Sequence, residues 1–174
     1  RRSDRVGLDI LAFVDAMDNP FDINELLKDL FDITGKVAIV TGATGGFGST
    51  ISMALAMAGA KVMATGRSED KLKLLVEEIE KEGGDIACSV GSPIDHDDVK
   101  RVVKETVDKF GRVDILITAA GVNKPGAITE QPLEEWEMIM DANIKGTYLF
   151  CKEAGKVMID QGDGGKVVLL GSAR

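Results

Sequence analysis

The sequence predicts an α/β chain built on a doubly wound parallel sheet, with a helical extension before it. Three observations carry that expectation. From Lys36 onward, short apolar runs alternate with stretches whose apolar residues recur at helical spacing. The segment Thr41-Gly42-Ala43-Thr44-Gly45-Gly46-Phe47-Gly48 lies between an apolar run, Val37 to Val40, and a helix-like stretch, Ile51 to Ala58. The residues after successive strands are small or polar, and in a parallel sheet with right-handed crossovers they gather at one edge.

Taken in order, Val37–Thr41 reads as the first strand and Gly48–Ala58 as its helix, with Ile51, Ala54, Leu55 and Ala58 on one face and Gly59 as the stop. Lys61–Thr65 is the second strand. Glu69–Glu82 is a helix with Leu72, Leu75, Val76 and Ile79 on its stripe, ended by Gly83-Gly84. Ile86–Val90 is the third strand. Asp97–Phe110 follows as a helix with Val99, Val102, Val103, Val107 and Phe110 inward. Val113–Thr118 is a strongly apolar fourth strand and so a central one. Leu133–Gln161 carries a long helical pattern, bent near Asn143 and packed by Trp136. Lys166–Leu170 is the fifth strand.

Residues 1–34 form a separate piece, a helical N-terminal extension before a domain at 35–174. Ile23, Leu26, Leu27, Leu30 and Phe31 make an apolar helical face, Asp22 with Glu25 forms a capping pair, and Asn19-Pro20 divides this from an earlier helix, Leu8 to Met17. The extension either folds over its own domain or reaches another subunit. Both ends read as cut: the chain does not begin with Met, and it stops at Arg174 beside a strand-like run.

The chain has 174 residues, 44% hydrophobic and 29% charged, enough for one domain with its own core. A net charge of −8 argues against a nucleic-acid partner. No apolar span is long enough to cross a bilayer, and acidic residues interrupt the start where a signal peptide would be apolar. Cys88 and Cys151 make no spaced framework, which points to free buried thiols in a reducing cytoplasm. His96 lies among Asp95, Asp97 and Asp98, a solvated helix start rather than a metal site.

The glycine turn carries the first chemical meaning. A strand that feeds a glycine turn, which in turn opens a helix, leaves backbone N–H groups free to face a pyrophosphate. Other segments then agree with it in order: Phe110-Gly111-Arg112-Val113-Asp114-Ile115-Leu116, Ala119-Ala120-Gly121, Asn143-x-x-Gly146 and Gly171-Ser172. With these, the chain from about Phe31 onward resembles the amino-terminal part of a short-chain dehydrogenase/reductase.

The resemblance implies a Rossmann-like doubly wound sheet, truncated after the fifth strand, and a nicotinamide cofactor. Gly42, Gly46 and Gly48 would line its pyrophosphate, with Gly45 and Phe47 in the same turn. Thr44 would approach the adenosine ribose, and Ala120 and Gly121 would flank the cofactor past the fourth strand. Ser172 maps to the serine that holds the substrate oxygen, and Asn143 to the asparagine that anchors a proton-relay water. The family's general acid/base is a tyrosine with a lysine four residues later. Tyr148 and Lys152 have that spacing but precede Ser172, on the same helix as Asn143, so they are not that pair. The true pair is expected beyond Arg174, and the segment is expected to bind cofactor weakly without turnover.

Gly66 stands where a carboxylate would favour NAD, and Arg67 and Ser68 follow it. Arg67 can pair with a 2′-phosphate, which favours NADP, with NAD as the alternative. Gly45 occupies a place where NADP-using relatives often have a second basic residue. Two departures from the pattern stand out: Thr118-Ala119-Ala120-Gly121 replaces Asn-Asn-Ala-Gly, and Ser89 stands for an aspartate near the adenine. The resemblance implies hydride transfer with a small carbonyl or alcohol substrate, a sugar acid or polyol, in a homodimer or homotetramer joined through the long helix. The runner-up is reduction of 3-oxoacyl thioesters. A non-catalytic nicotinamide-sensing protein and a methyltransferase on a similar sheet are the rivals from other classes. Gly66 with Arg67, together with Asn143 and Ser172, argues against the methyltransferase.

Overall fold

The computed structural model describes residues 30–171. The chain divides into two compact units, Arg1–Asp32 and Ile33–Arg174. The helices expected before Leu30 lie outside the described residues.

The second unit holds five parallel strands in the order β3-β2-β1-β4-β5. They are β1 (Val37–Thr41), β2 (Lys61–Gly66), β3 (Asp85–Val90), β4 (Ile115–Thr118) and β5 (Lys166–Leu169). The helices between them are α1 (Gly46–Met57), α2 (Glu69–Lys81), α3 (His96–Phe110), α4 (Leu133–Met140) and α5 (Gly146–Gln161). Strand order reverses between β1 and β4, the place where such sheets open a crevice beyond their carboxyl ends. Register brings those ends level: Thr41 pairs with both Thr65 and Thr118, and Thr65 with Ser89. The rim of the sheet is therefore a row of buried hydroxyl residues.

Period-two alternation splits the core into two layers. Ile39, Met63 and Leu116 face Val99, Val102 and Val103 of α3 and Leu149, Phe150 and Ala154 of α5. Val40, Val62, Ala64 and Ile117 face Ala56 of α1 and Leu72, Leu75 and Ile79 of α2. At the opposite edge from the rim, buried Asp114 accepts hydrogen bonds from the Val37 N–H (2.9 Å) and from Arg112 (2.6 Å).

Three expectations need correction. Of the face expected for α1, Ile51 and Leu55 do pack against the core, partly buried, but the fully buried residues are others. Those are Gly48, Ser52 and Ala56, residues small enough to let the helix approach the sheet, while Ala54 and Ala58 are exposed. The long helix is two helices, α4 and α5, joined by a π turn at Asp141–Lys145, so the bend expected near Asn143 is a widened turn. Trp136 does not pack into a core: it is 46% exposed, and α4 buries none of its residues.

Candidate cofactor site

A cleft of about 320 Å³ opens at the carboxyl rim. Its floor is the end of β1 and the glycine turn, with Thr41, Gly42, Thr44 and Gly45. One side is the ends of β2 and β3, with Thr65, Gly66, Arg67, Gly91 and Ser92. The other is the segment after β4, with Ala119, Ala120, Gly121 and Val122. Met138, Ala142 and Phe150 close it from α4, the π turn and α5.

Close packing of backbone builds the floor. Gly42 has φ +63°, and a Cβ there would lie 2.7 Å from the Ala120 backbone, so this turn and the segment after β4 touch main chain to main chain. Gly48 is equally constrained, since a Cβ would fall 2.1 Å from the Gly42 carbonyl oxygen. Gly46 differs: a Cβ there meets no protein atom within 4 Å. The protein does not require a glycine at 46, which leaves room for another molecule to approach that backbone.

The start of α1 fits an anionic group. Gly45 is its N-cap and supplies no side-chain hydrogen bond, and the first turn holds no acidic residue. The leading N–H groups thus lack the side-chain acceptor that helix starts commonly recruit, and the positive end of the helix dipole is uncompensated. A diphosphate would supply both the acceptors and the charge.

Two side chains fix the far wall. The Thr41 hydroxyl oxygen accepts from the N–H groups of Ala119 (3.2 Å) and Ala120 (3.1 Å), tying β1 to the segment after β4 where the expected strand-end amide is replaced by Thr118. Asn143, in the π turn, makes a two-point contact with Val122: Oδ1 accepts from its N–H (2.8 Å) and Nδ2 donates to its carbonyl (2.9 Å). The Asn143 amide is thus engaged with backbone. A Cβ at Gly121 would lie 3.0 Å from its oxygen.

The structure brings Gly42, Thr44, Gly45, Arg67, Ala120 and Gly121 together on one cleft. Gly46, Phe47 and Gly48 stand in the first turn of α1, with Phe47 78% exposed. Ser68 is the N-cap of α2 and lies outside the cleft lining. Ser172 lies outside the described residues. Arg67 is exposed and has no hydrogen-bond or ion-pair partner among the described residues. Thr65 Oγ1 is buried without a partner among those residues. Tyr148 is 59% exposed on α5, away from the lining, with Lys152 Nζ 6.0 Å from its ring centre.

Sequence reasoning missed Thr41, Thr65, Val122, Met138, Ala142 and Phe150 as lining residues. Only Thr41 and Thr65 carried a signal, as polar residues closing apolar strands. His96, expected at a solvated helix start, instead pairs through Nε2 with Glu153 Oε1 of α5 (2.8 Å). Lys156 also reaches Glu153 (2.9 Å). The hydrogen bond from His96, then that from Lys156, hold the Glu153 carboxyl below its ordinary range. No cluster of three or more metal-ligating side chains occurs among the described residues. Cys88 and Cys151 are free and half-buried rather than fully buried, and burial pushes both thiols up. No described helix is long and apolar enough to cross a membrane.

Comparison with known proteins identifies the family. A family model described as short chain dehydrogenase matches residues 36–174. A 3-oxoacyl-[acyl-carrier-protein] reductase of Synechocystis is 34% identical over 133 residues, covering 76% of this chain and 54% of that protein. A glucose 1-dehydrogenase of Gluconobacter oxydans is 35% identical over 143 residues, covering 82% and 53%. The crystal structure of a short-chain type dehydrogenase/reductase from Mycobacterium marinum superposes with a TM-score of 0.77 at 35% identity, covering 80% of this chain and 56% of that one. The chain spans about half the length of the curated relatives it matches.

Proposed function

The chain belongs to the short-chain dehydrogenase/reductase family, and on that premise we propose that it is the cofactor-binding part of an oxidoreductase that moves hydride between a nicotinamide dinucleotide and a carbonyl/alcohol pair. The observation that carries this is the uncapped start of α1 facing a cleft at the strand-order reversal, with open space at Gly46. Gly42, Gly45 and Gly46 would hold the diphosphate, Thr44 would approach the adenosine ribose, and Ala120 and Gly121 would flank the nicotinamide side. When bound, the cofactor would supply or accept the hydride. The protein would orient it: Thr41 and Asn143 fix the wall formed by Ala119–Val122, and Phe150, Met138 and Ala142 line the side that faces it.

NADP is the preferred form in this proposal. Arg67, without a partner among the described residues, lies at the end of β2, where a guanidinium can grip a 2′-phosphate and where Gly66 stands in place of a strand-end carboxylate. The proton-transfer groups of the complete reaction would come from outside the described residues, because the cleft lining offers threonine and serine hydroxyls but neither phenol nor ammonium. Ser172 would hold the substrate oxygen. Asn143, its amide taken by Val122, would anchor a relay water through its main chain.

Substrate choice follows the relatives. The Gluconobacter glucose 1-dehydrogenase supports a sugar, sugar acid or polyol, and the Synechocystis reductase supports a 3-oxoacyl thioester as the second reading. Exposed Ile144, Tyr148 and Ile159 fall on one face of the π turn and α5, which supports assembly into a homodimer or homotetramer through that face. The site is tested by titrating NADPH and NADH against the 174-residue chain. Saturable binding of NADPH, weakened at least tenfold by Arg67→Ala while NADH binding holds, is the expected result. Absence of binding of either dinucleotide would overturn the reading.

A further inference from the structure

The end of the cleft beyond β2 is built by a residue on the outside of the sheet. Arg101 of α3 sends its guanidinium back over the end of β3. Its Nη2 donates to the Val90 carbonyl (2.6 Å) and to Asp98 Oδ1 (2.6 Å), and its Nη1 donates to Ser89 Oγ (3.2 Å) and Glu105 Oε1 (3.3 Å). Asp98 in turn uses Oδ2 to accept the Ser92 N–H (2.9 Å). One clasp thus grips the backbone on both sides of Gly91. Gly91 itself donates to the Gly66 carbonyl (2.9 Å), and a Cβ there would press to 3.2 Å from Val102. The backbone from Ser89 to Ser92 is held from α3 on its outer side and from β2 on its inner side.

That backbone is also a wall. Gly91 and Ser92 line the main cleft, and they share with Arg67 a side recess of about 470 Å³ that Val90, Asp98 and Arg101 complete. The recess lies past the end of β2, on the side away from the segment after β4. In a dinucleotide laid across the strand-order reversal with its ribose near β2, this is the adenosine end.

We propose that Arg101 is a positioning residue for the adenosine half of the dinucleotide, setting the Val90–Ser92 backbone as the wall against which that half packs. The inference rests on the dinucleotide reading of the cleft. A planar guanidinium suits the task because it can hold a carbonyl and a carboxylate at once with donors fixed in one plane, which a lysine ammonium on a flexible stem cannot reproduce. Its role differs from that of Arg67. Arg67 would distinguish NADPH from NADH by meeting a phosphate, whereas Arg101 serves both cofactors equally by holding backbone.

The test is calorimetric titration of the 174-residue chain and its Arg101→Met variant with NADPH, NADH, 2′,5′-ADP, ADP and nicotinamide mononucleotide. The variant is expected to lose about tenfold in affinity, equivalent to roughly 1.4 kcal/mol, for every ligand that carries adenosine. Its affinity for nicotinamide mononucleotide is expected to be unchanged, and Arg101→Lys to fall between the two. Asp98→Asn, which weakens the same clasp, gives the same selective pattern should Arg101→Met fold poorly. Unchanged binding of ADP and 2′,5′-ADP by Arg101→Met would overturn the proposal. So would an equal loss for adenosine and nicotinamide ligands accompanied by a lower thermal midpoint. A wild-type chain that binds no dinucleotide at all would overturn the cofactor reading itself, whereas wild-type binding that Arg101→Met leaves intact would remove only this inference.

Discussion

β1 and β5 are short apolar strands of one parallel sheet, yet every residue of β1 is buried and every residue of β5 is exposed. Val37-Ala38-Ile39-Val40-Thr41 and Lys166-Val167-Val168-Leu169 would read alike by composition. The difference lies in what covers them. β1 sits between β2 and β4 with helices on both faces, whereas β5, among the described residues, pairs only with β4 and has Val168 49% exposed. Apolar character thus reports that a segment becomes a strand, and the layers around it decide whether that character stabilises the fold.

The sharpest way to break this comparison is truncation in each strand. Ile39→Ala should cost roughly 2–5 kcal/mol, as expected for a fully buried side chain in a packed layer. Val168→Ala should stay within about 0.5 kcal/mol, as for a surface change. Urea denaturation of both variants checks it, and similar losses in the two would show that β5 is as well covered as β1.

The strand ends differ in the same way. Thr41 ties two backbone N–H groups of the segment after β4, while the end of β5 is held among the described residues by a backbone bond, Leu170 N–H to the Thr118 carbonyl (3.1 Å). Thr41→Val, nearly equal in shape, should therefore cost roughly 1–3 kcal/mol by leaving those donors unmet, whereas Leu170→Ala should be close to neutral. A thermal melt that ranked them in the opposite order would contradict the assignment.

A smaller effect concerns the helices that cover β1. Glu153 joins α5 to α3 through His96, and its carboxyl is held below the ordinary value of 4.5, chiefly by the His96 hydrogen bond. A lowered folded-state value means that this contribution is complete above about 4.5 and is lost as pH falls below it. The thermal midpoint should therefore drop more steeply below that pH in the wild type than in Glu153→Gln. Parallel acid profiles for the two would remove Glu153 from the pH response.

How much was legible in the sequence follows from the same contrast. All five strands were readable because apolar runs bounded by glycine and charge are local signals, and the inward stripes of α2 and α3 were readable from their periodicity. The inward face of α1 was readable only in Ile51 and Leu55, since Gly48, Ser52 and Ala56 look unremarkable until a close helix–sheet approach selects for small residues. The glycine turn was legible as the strand-to-helix turn that floors the cleft, but the lining residues Met138, Ala142 and Phe150 were not, because they reach the cleft only through the path of α4 and the π turn. Arg101 was invisible for a similar reason. Its partners at Ser89 and Val90 are on a different element, and an arginine on an acidic helix surface reads as solvated.

The most direct measurement is the affinity of Gly46→Ala for NADPH, taken together with its thermal midpoint. The two should move in opposite directions. A Cβ at position 46 meets no protein atom, so the substitution should leave the fold intact and raise its stability by about 0.4–1 kcal/mol, as glycine-to-alanine changes do in compatible backbone. NADPH binding should weaken at least tenfold, because the methyl group would stand where the diphosphate approaches the first turn of α1. A variant that gains stability and binds NADPH as tightly as the wild type would contradict the claim that this helix start is the phosphate cradle.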